Sequence, residues 1–229
     1  MSLPDSIDLS VVVPMFRTAA TLPELYRRID RSTADQGRVE FVFVNDACDE
    51  GSGTALDELA AHDPRVHVLH HPRNRGQHQS IRSGLRGTRG AVTVVLDGDL
   101  QDPPEAVPLL VEILRTGTAD AVFAGRTGRY QSRGRSMTGR AFKWLLHRRA
   151  GTPLDAGGYV AMNRAMTDDV LGQQLQTPYL LAHIARTGRP TTSVPVERSE
   201  RTNGRSATSS RARMQLGVGA LRSTRRLPR

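Results

Sequence analysis

Residues 91–105 read AVTVVLDGDLQDPPE, and this stretch decides how the rest of the chain is understood. Val92 to Leu96 is an uninterrupted run of β-branched and aliphatic residues, the pattern of a strand buried on both faces. It breaks off at Asp97-Gly98-Asp99, followed by Gln101, Asp102 and two prolines. Acids just past the carboxyl end of a buried central strand stand where open α/β sheets bind ligands. Gly98 lets the backbone bend so that both carboxylates turn into one crevice. Two carboxylates and an amide oxygen form an all-oxygen donor set, suited to Mg²⁺ or Mn²⁺ completed by substrate phosphates. The same residues also read as a polar loop into a helix, with Asp102 as its N-cap before Pro103.

Other elements extend outward from this strand. Leu9 to Pro14 is a first buried strand, expected to stop at its proline. Thr21 to Glu24 has the spacing of a capping box, and Leu22, Leu25 and Ile29 form the stripe of the helix it would open. Phe41 to Val44 is a second strand ending in Asn45-Asp46, and a helix over 52–61 leads to a third strand, Val66 to Leu69. This β-α-β-α-β run outlines a nucleotide-binding half. Pro72-Arg-Asn-Arg75-Gly76 then precedes a helix carrying Ile81 and Leu85. Gly76 permits close backbone approach there, and Arg73 and Arg75 can meet phosphate. Beyond the central motif, Val107, Leu110, Ile113 and Leu114 make a helix face, in which Pro108 is expected to shorten or kink the first turn. A strand over 120–125 follows, with Arg126 directly after it. Helices over 166–175 and 180–184 and an edge strand over 191–196, interrupted by Pro195, complete the regular structure.

Composition narrows the function classes. The 229 residues carry 32 basic and 23 acidic side chains, a net charge of +9, with a pI near 10.9. Almost all the basic residues are arginine, since Lys143 is the only lysine. Such a chain meets anions: nucleic acid, an anionic membrane or a diphosphate. Only ten residues are aromatic and no standard recognition motif is present, which argues against specific nucleic-acid binding. Cys48 stands alone, excluding an internal disulfide and a cysteine zinc site. His70 and His71 are adjacent and would point to opposite faces of a strand, which argues against a histidine metal site. The opening lacks a basic stretch followed by an apolar run, and no segment approaches a membrane span. The expectation is a cytoplasmic protein, soluble or peripheral on the membrane.

The string Asp97-Gly-Asp-Leu-Gln-Asp-Pro-Pro-Glu105 resembles the D-x-D segment of the family 2 glycosyltransferases, above all their dolichol-phosphate mannosyltransferase-like branch. Further resemblances follow in order: Pro14, Asn45-Asp46, Arg73 to Gly76, Gly125-Arg126, Asp155 to Arg164, and Arg201-Thr-Asn-Gly-Arg205-Ser206. They cover residues 8–206. The resemblance implies an α/β fold of the GT-A type, Rossmann-like, with a central mostly parallel sheet flanked by helices. It implies one domain over 1–206 and a basic tail over 207–229, weakly amphipathic or disordered. It implies inverting, metal-dependent transfer from a nucleotide-diphosphate sugar, with Mg²⁺ or Mn²⁺ on Asp99, Gln101 and Asp97. Pro14, Asp46, Arg75, Gly76, Asp97, Arg126, Arg205 and Ser206 would bind the donor. Arg201 would neutralise the departing diphosphate, and Asp155 would serve as base or acceptor-orienting group.

The chain departs from the pattern at Arg17, Thr18, Ala47, Gly158, Val160 and Ala207. Gly158 stands where members carry an acid, and Ala47 replaces the glycine of the usual V-N-D-G-S. A polyprenyl phosphate acceptor needs no general base, because its oxygen is already an anion. The alternatives are a tailoring enzyme acting on a hydroxyl, a non-catalytic nucleotide-sugar binder, and a basic nucleic-acid-binding protein. The arginines between Arg129 and Arg149 form a candidate acceptor surface, and those of the tail a candidate anchor to an anionic leaflet.

Overall fold

The computed structural model describes residues 6–48, 51–127, 144, 147–148, 151–174 and 179–198. The β-branched runs become the strands β1 (Leu9–Met15), β2 (Val39–Asn45), β3 (Val66–His70), β4 (Val92–Val95), β5 (Ala121–Thr127), β6 (Val160–Asn163) and β7 (Thr191–Glu197). They hydrogen-bond in the order β3-β2-β1-β4-β6-β5-β7. β6 runs antiparallel to its neighbours β4 and β5, and the other pairings are parallel. The expected mostly parallel α/β sheet is therefore what forms.

Helices α1 (Leu22–Thr33), α2 (Ser52–His62), α3 (Gln77–Arg86), α4 (Val107–Arg115), α5 (Arg164–Gly172) and α6 (Leu180–Thr187) cover both faces. Side chains alternate along each strand, so Val11, Val13, Phe41 and Phe43 pack with α1, α2 and α4. Val12, Val42 and Val95 turn the other way, onto α3, α5 and α6. This two-sided burial is why the central strands carry no polar alternation.

The chain leaves β1 towards β2 on one side and returns through α3 to β4 on the other. The strand order reverses between β1 and β4, and sheets of this kind bind ligands in a crevice at the carboxyl ends of the strands beside such a switch.

Several local expectations change. β1 continues through Pro14 to Met15, because only its β4 side ends at Val12–Val95 while its β2 side pairs on to Met15–Asn45. Thr21 does not cap α1 with its side chain; its hydroxyl donates to the carbonyls of Thr18 and Gly98, each at 2.8 Å. Pro108 neither shortens nor kinks a helix. A 3-10 turn over Pro104–Ala106 leads in, and α4 starts at Val107, so Pro108 occupies its first turn where no N–H is needed. α5 starts two residues early because the Asn163 side chain accepts the Met166 N–H. β7 runs uninterrupted through Pro195, which its position as an edge strand paired only to β5 tolerates.

Candidate active site

Strain marks the crevice independently of any motif. Among the described residues, the non-glycine positions with left-handed φ are Arg17 (55°), Ala47 (53°) and Leu100 (61°). Each follows the carboxyl end of a strand, β1, β2 or β4, and these three strands are neighbours. Such conformations cost on the order of 1–3 kcal/mol each and collect where function requires them. Ala47 also explains the glycine of the V-N-D-G-S pattern, which serves the left-handed backbone. Replacing Ala47 by Gly removes about 1–2 kcal/mol of strain and returns about 0.4–1 kcal/mol through unfolded-chain freedom. Ala47→Gly is accordingly expected to raise the thermal midpoint by roughly 2–3 °C in a calorimetric scan.

The turn after β4 presents Asp97 and Asp99, both half-buried. A Cβ on Gly98 would stand 2.7 Å from Met15 Sδ and 3.2 Å from the Pro14 carbonyl oxygen, so glycine is what lets the turn lie against β1. This close approach is the part Pro14 visibly plays. Gln77 Nε2 donates to Asp97 Oδ1, and Asp99 Oδ1 accepts the Gln101 N–H at 3.2 Å. No group of three or more His, Cys, Asp or Glu side chains able to hold a metal occurs among the described residues. An all-oxygen pair of acids on one turn nevertheless fits a hard cation whose remaining ligands are phosphate and water. Asp99 and Asp97, with the Gln101 amide beside them, are the residues that would hold it.

Asp46 is placed differently from its expected contact with the nucleoside. It is 2% exposed, and its carboxylate faces inward: Oδ1 pairs with His71 Nδ1 at 2.8 Å and accepts the Arg75 N–H at 2.8 Å, while Oδ2 accepts the Gly76 N–H at 2.7 Å. His71 is completed by Ser83 Oγ at 2.9 Å. Asp46 thus shapes the Arg73–Gly76 loop beside the crevice. Gly76 has φ of +85° with open space around a would-be Cβ, so its glycine serves the turn and not close packing. Gln77, the first residue of α3, then reaches Asp97. Ser83 and Gln77 carry no sequence signal, and His71 reads only as a candidate metal ligand, because their partners lie on other elements.

On the far side of the crevice, β6 begins after Tyr159, whose buried hydroxyl donates to the Pro103 carbonyl at 2.9 Å. Burial, together with the charges of Asp102 and Glu105, raises its pKa well above the ordinary value, so it stays a phenol and a donor. Asp102 does not cap the turn that follows. The N-cap, Pro103, has no side-chain bond, and the Asp102 carboxylate pairs with Arg198.

Asp155 lies over β5: a Cβ on Gly125 would run into the Asp155 carboxylate, so only glycine admits it there. Gly125 sits two strands from β4, about 10 Å across the sheet. Gly158, between them, faces open space. Arg126 belongs to β5, paired with Val196. Arg201, Arg205, Ser206 and the tail lie outside the described residues, as does most of the 129–149 arginine cluster. There, the Arg148 guanidinium lies over the exposed Trp144, 5.5 Å from the ring centre.

The profile of Glycosyl transferase family 2 matches residues 10–173. The chain belongs to this family. It is 33% identical over 208 residues to the undecaprenyl-phosphate 4-deoxy-4-formamido-L-arabinose transferase of Pseudomonas aeruginosa, covering 89% of this chain and 61% of that one. It is 31% identical over 203 residues to the uncharacterized glycosyltransferase YkcC of Bacillus subtilis, covering 86% and 62%. The chain thus spans about three fifths of the length of these relatives. In fold it is similar to the mannosyltransferase PcManGT of Pyrobaculum calidifontis, solved with GDP-Man and Mn²⁺ (TM-score 0.64, 18% identity, 96% of this chain and 74% of that). It is also similar to glucosyl-3-phosphoglycerate synthase of Mycobacterium tuberculosis, solved with Mn²⁺, UDP and phosphoglyceric acid (TM-score 0.68, 17% identity, 97% and 80%). These likenesses establish the GT-A fold for this member of the family.

Proposed function

We propose that the chain transfers a sugar, with inversion, from a nucleotide-diphosphate sugar to a polyprenyl phosphate. The observation that carries this reading is the D-G-D turn at the β1/β4 switch point, in a chain whose relatives include an undecaprenyl-phosphate sugar transferase. The donor lies across the carboxyl ends of β1, β2 and β4, with the Asp46-shaped Arg75–Gly76 loop beside it. Asp99, with Asp97 and Gln101, holds Mg²⁺ or Mn²⁺, which supplies charge neutralisation to the departing diphosphate. Arg126, Arg201, Arg205 and Ser206 add donors to the same phosphates. The acceptor phosphate enters from the β5 side, past Gly158, and attacks with an oxygen that needs no deprotonation.

Among the described residues no helix is long and apolar enough to cross a membrane. Work at the cytoplasmic face, with peripheral attachment through the Arg-rich 207–229 segment, is part of the same proposal. Thermal-shift titration against UDP-, GDP- and TDP-sugars with and without Mn²⁺ or Mg²⁺ tests the donor, since a ligand of the folded state must raise its stability. Radiolabel transfer to undecaprenyl phosphate tests the acceptor. No metal-dependent shift with any nucleotide sugar would sink the reading, and steep salt-dependent DNA retention would replace it.

Asp155 discriminates between acceptors. With a phosphate acceptor it only orients, so Asp155→Asn is expected to raise the acceptor KM about threefold to tenfold with donor binding unchanged. Collapse of kcat with donor binding intact would instead make Asp155 the base for a hydroxyl acceptor.

A further inference from the structure

Arg198 follows β7, the strand at the far edge of the sheet from β3, yet its side chain reaches the turn after β4. Its Nε donates to Asp102 Oδ1 at 2.5 Å, Nη2 pairs with the same oxygen, and Nη2 stands 3.9 Å from Asp97 Oδ2. Asp102 is 1% exposed, and its second oxygen accepts the Asp97 N–H at 3.4 Å. One guanidinium therefore grips both ends of the Asp97–Asp102 turn. Between those ends Leu100 holds a left-handed backbone that a branched side chain resists. Such a conformation persists only where its surroundings over-determine it. Tyr159 on Pro103 and Arg198 on Asp102 supply that constraint from beside two other strands, β6 and β7.

We propose that Arg198 is a positioning residue for the divalent cation: through Asp102 it holds the strained turn in the shape that presents Asp97 and Asp99 together. This rests on the metal-dependent reading above. It makes a prediction opposite in sign to simple electrostatics. A bystander cation 3.9 Å from Asp97 repels a metal ion, so its removal would tighten metal binding. A positioning residue stabilises the ligand geometry, so its removal weakens binding, by about tenfold or more for a partner behind the ligands.

The test is Mn²⁺ titration of the purified full chain, followed by electron paramagnetic resonance at fixed ionic strength, alone and with UDP or GDP, against Mn²⁺ and nucleotide without protein. Arg198→Met is expected to weaken Mn²⁺ binding about tenfold, and Arg198→Lys to recover part of the loss. The double variant Asp102→Asn with Arg198→Gln keeps a hydrogen-bonded tie without either charge, and is expected to stay within about threefold of the wild type. It decides the matter if the buried Asp102 left alone prevents Arg198→Met from folding, as judged by circular dichroism. Folded Arg198→Met binding Mn²⁺ as well as the wild type, or either variant binding it more tightly, overturns the proposal and leaves the metal reading standing. A wild type that binds no Mn²⁺ even with UDP or GDP present overturns the metal reading itself, and this inference with it.

Discussion

Asp99→Ala is expected to lower metal-dependent kcat by about 10³-fold while the protein stays folded. Asp99 is half-buried on a turn, and its Oδ1 accepts one backbone N–H, from Gln101. Losing that bond costs about 1 kcal/mol, a shift of only a few degrees in thermal midpoint for a chain of this length. In the proposed reaction, by contrast, the departing diphosphate would gather negative charge beside Asp97 and Asp99, which would repel it unless a cation intervened. Removing the principal cation ligand leaves that charge without its counter-ion in the transition state. The check has two parts: steady-state transfer, and the stabilisation that Mn²⁺ adds in the presence of the donor. Both are expected to vanish in the variant. Metal-dependent turnover at the wild-type level in Asp99→Ala would falsify the assignment of this turn as the metal site.

The largest stability effect belongs to Asp46. Its carboxylate pairs with His71 and accepts the Arg75 and Gly76 amides, in a position 2% exposed. Asp46→Ala takes the acceptor from the buried His71 Nδ1 and from the Arg75 N–H, and leaves the Gly76 N–H only its 3.1 Å bond to Asn74 Oδ1. Breaking a buried charged network from one side costs about 3–5 kcal/mol, or on the order of 10 °C in thermal midpoint at this size. Asp46→Asn keeps the shape but offers a single acceptor oxygen, and is expected to cost about 1–3 kcal/mol. Because the loop it holds flanks Gln77 and hence Asp97, donor affinity is expected to fall in both variants. Thermal denaturation alongside donor titration measures the two effects. A stable Asp46→Ala protein with weakened donor binding would return Asp46 to the direct nucleoside contact that the motif implied.

The fold was legible because its signal is local and repetitive. Buried parallel strands must be apolar on both faces, so Val11 to Val13, Phe41 to Val44 and Val92 to Leu96 announce themselves as continuous runs. Helix stripes such as Leu22, Leu25 and Ile29 do the same at their own spacing. The D-G-D turn was legible for a related reason: acids directly after such a run can only stand at the strand's carboxyl end. What remained hidden were elements whose conformation depends on neighbours. Pro14 reads as a stop until β4 is known to leave it first. Pro108 reads as a kink until the preceding 3-10 turn moves the helix start.

The sequence by itself determined an α/β sheet, the order of its central elements and the edge at which the acids gather. Only the tertiary structure decided what each acid does there. Asp97 takes the Gln77 amide and Asp99 the Gln101 N–H, Asp46 turns inward to His71 and two loop amides, and Asp155 settles on Gly125. Asp102 is taken by an arginine 96 residues away. The physical reason is the range of the forces involved. Hydrophobic burial follows a periodicity written along the chain, whereas a carboxylate takes whichever donors the fold brings to it. Those donors arrive from β3, α3 and β7 only once the sheet has closed in its order.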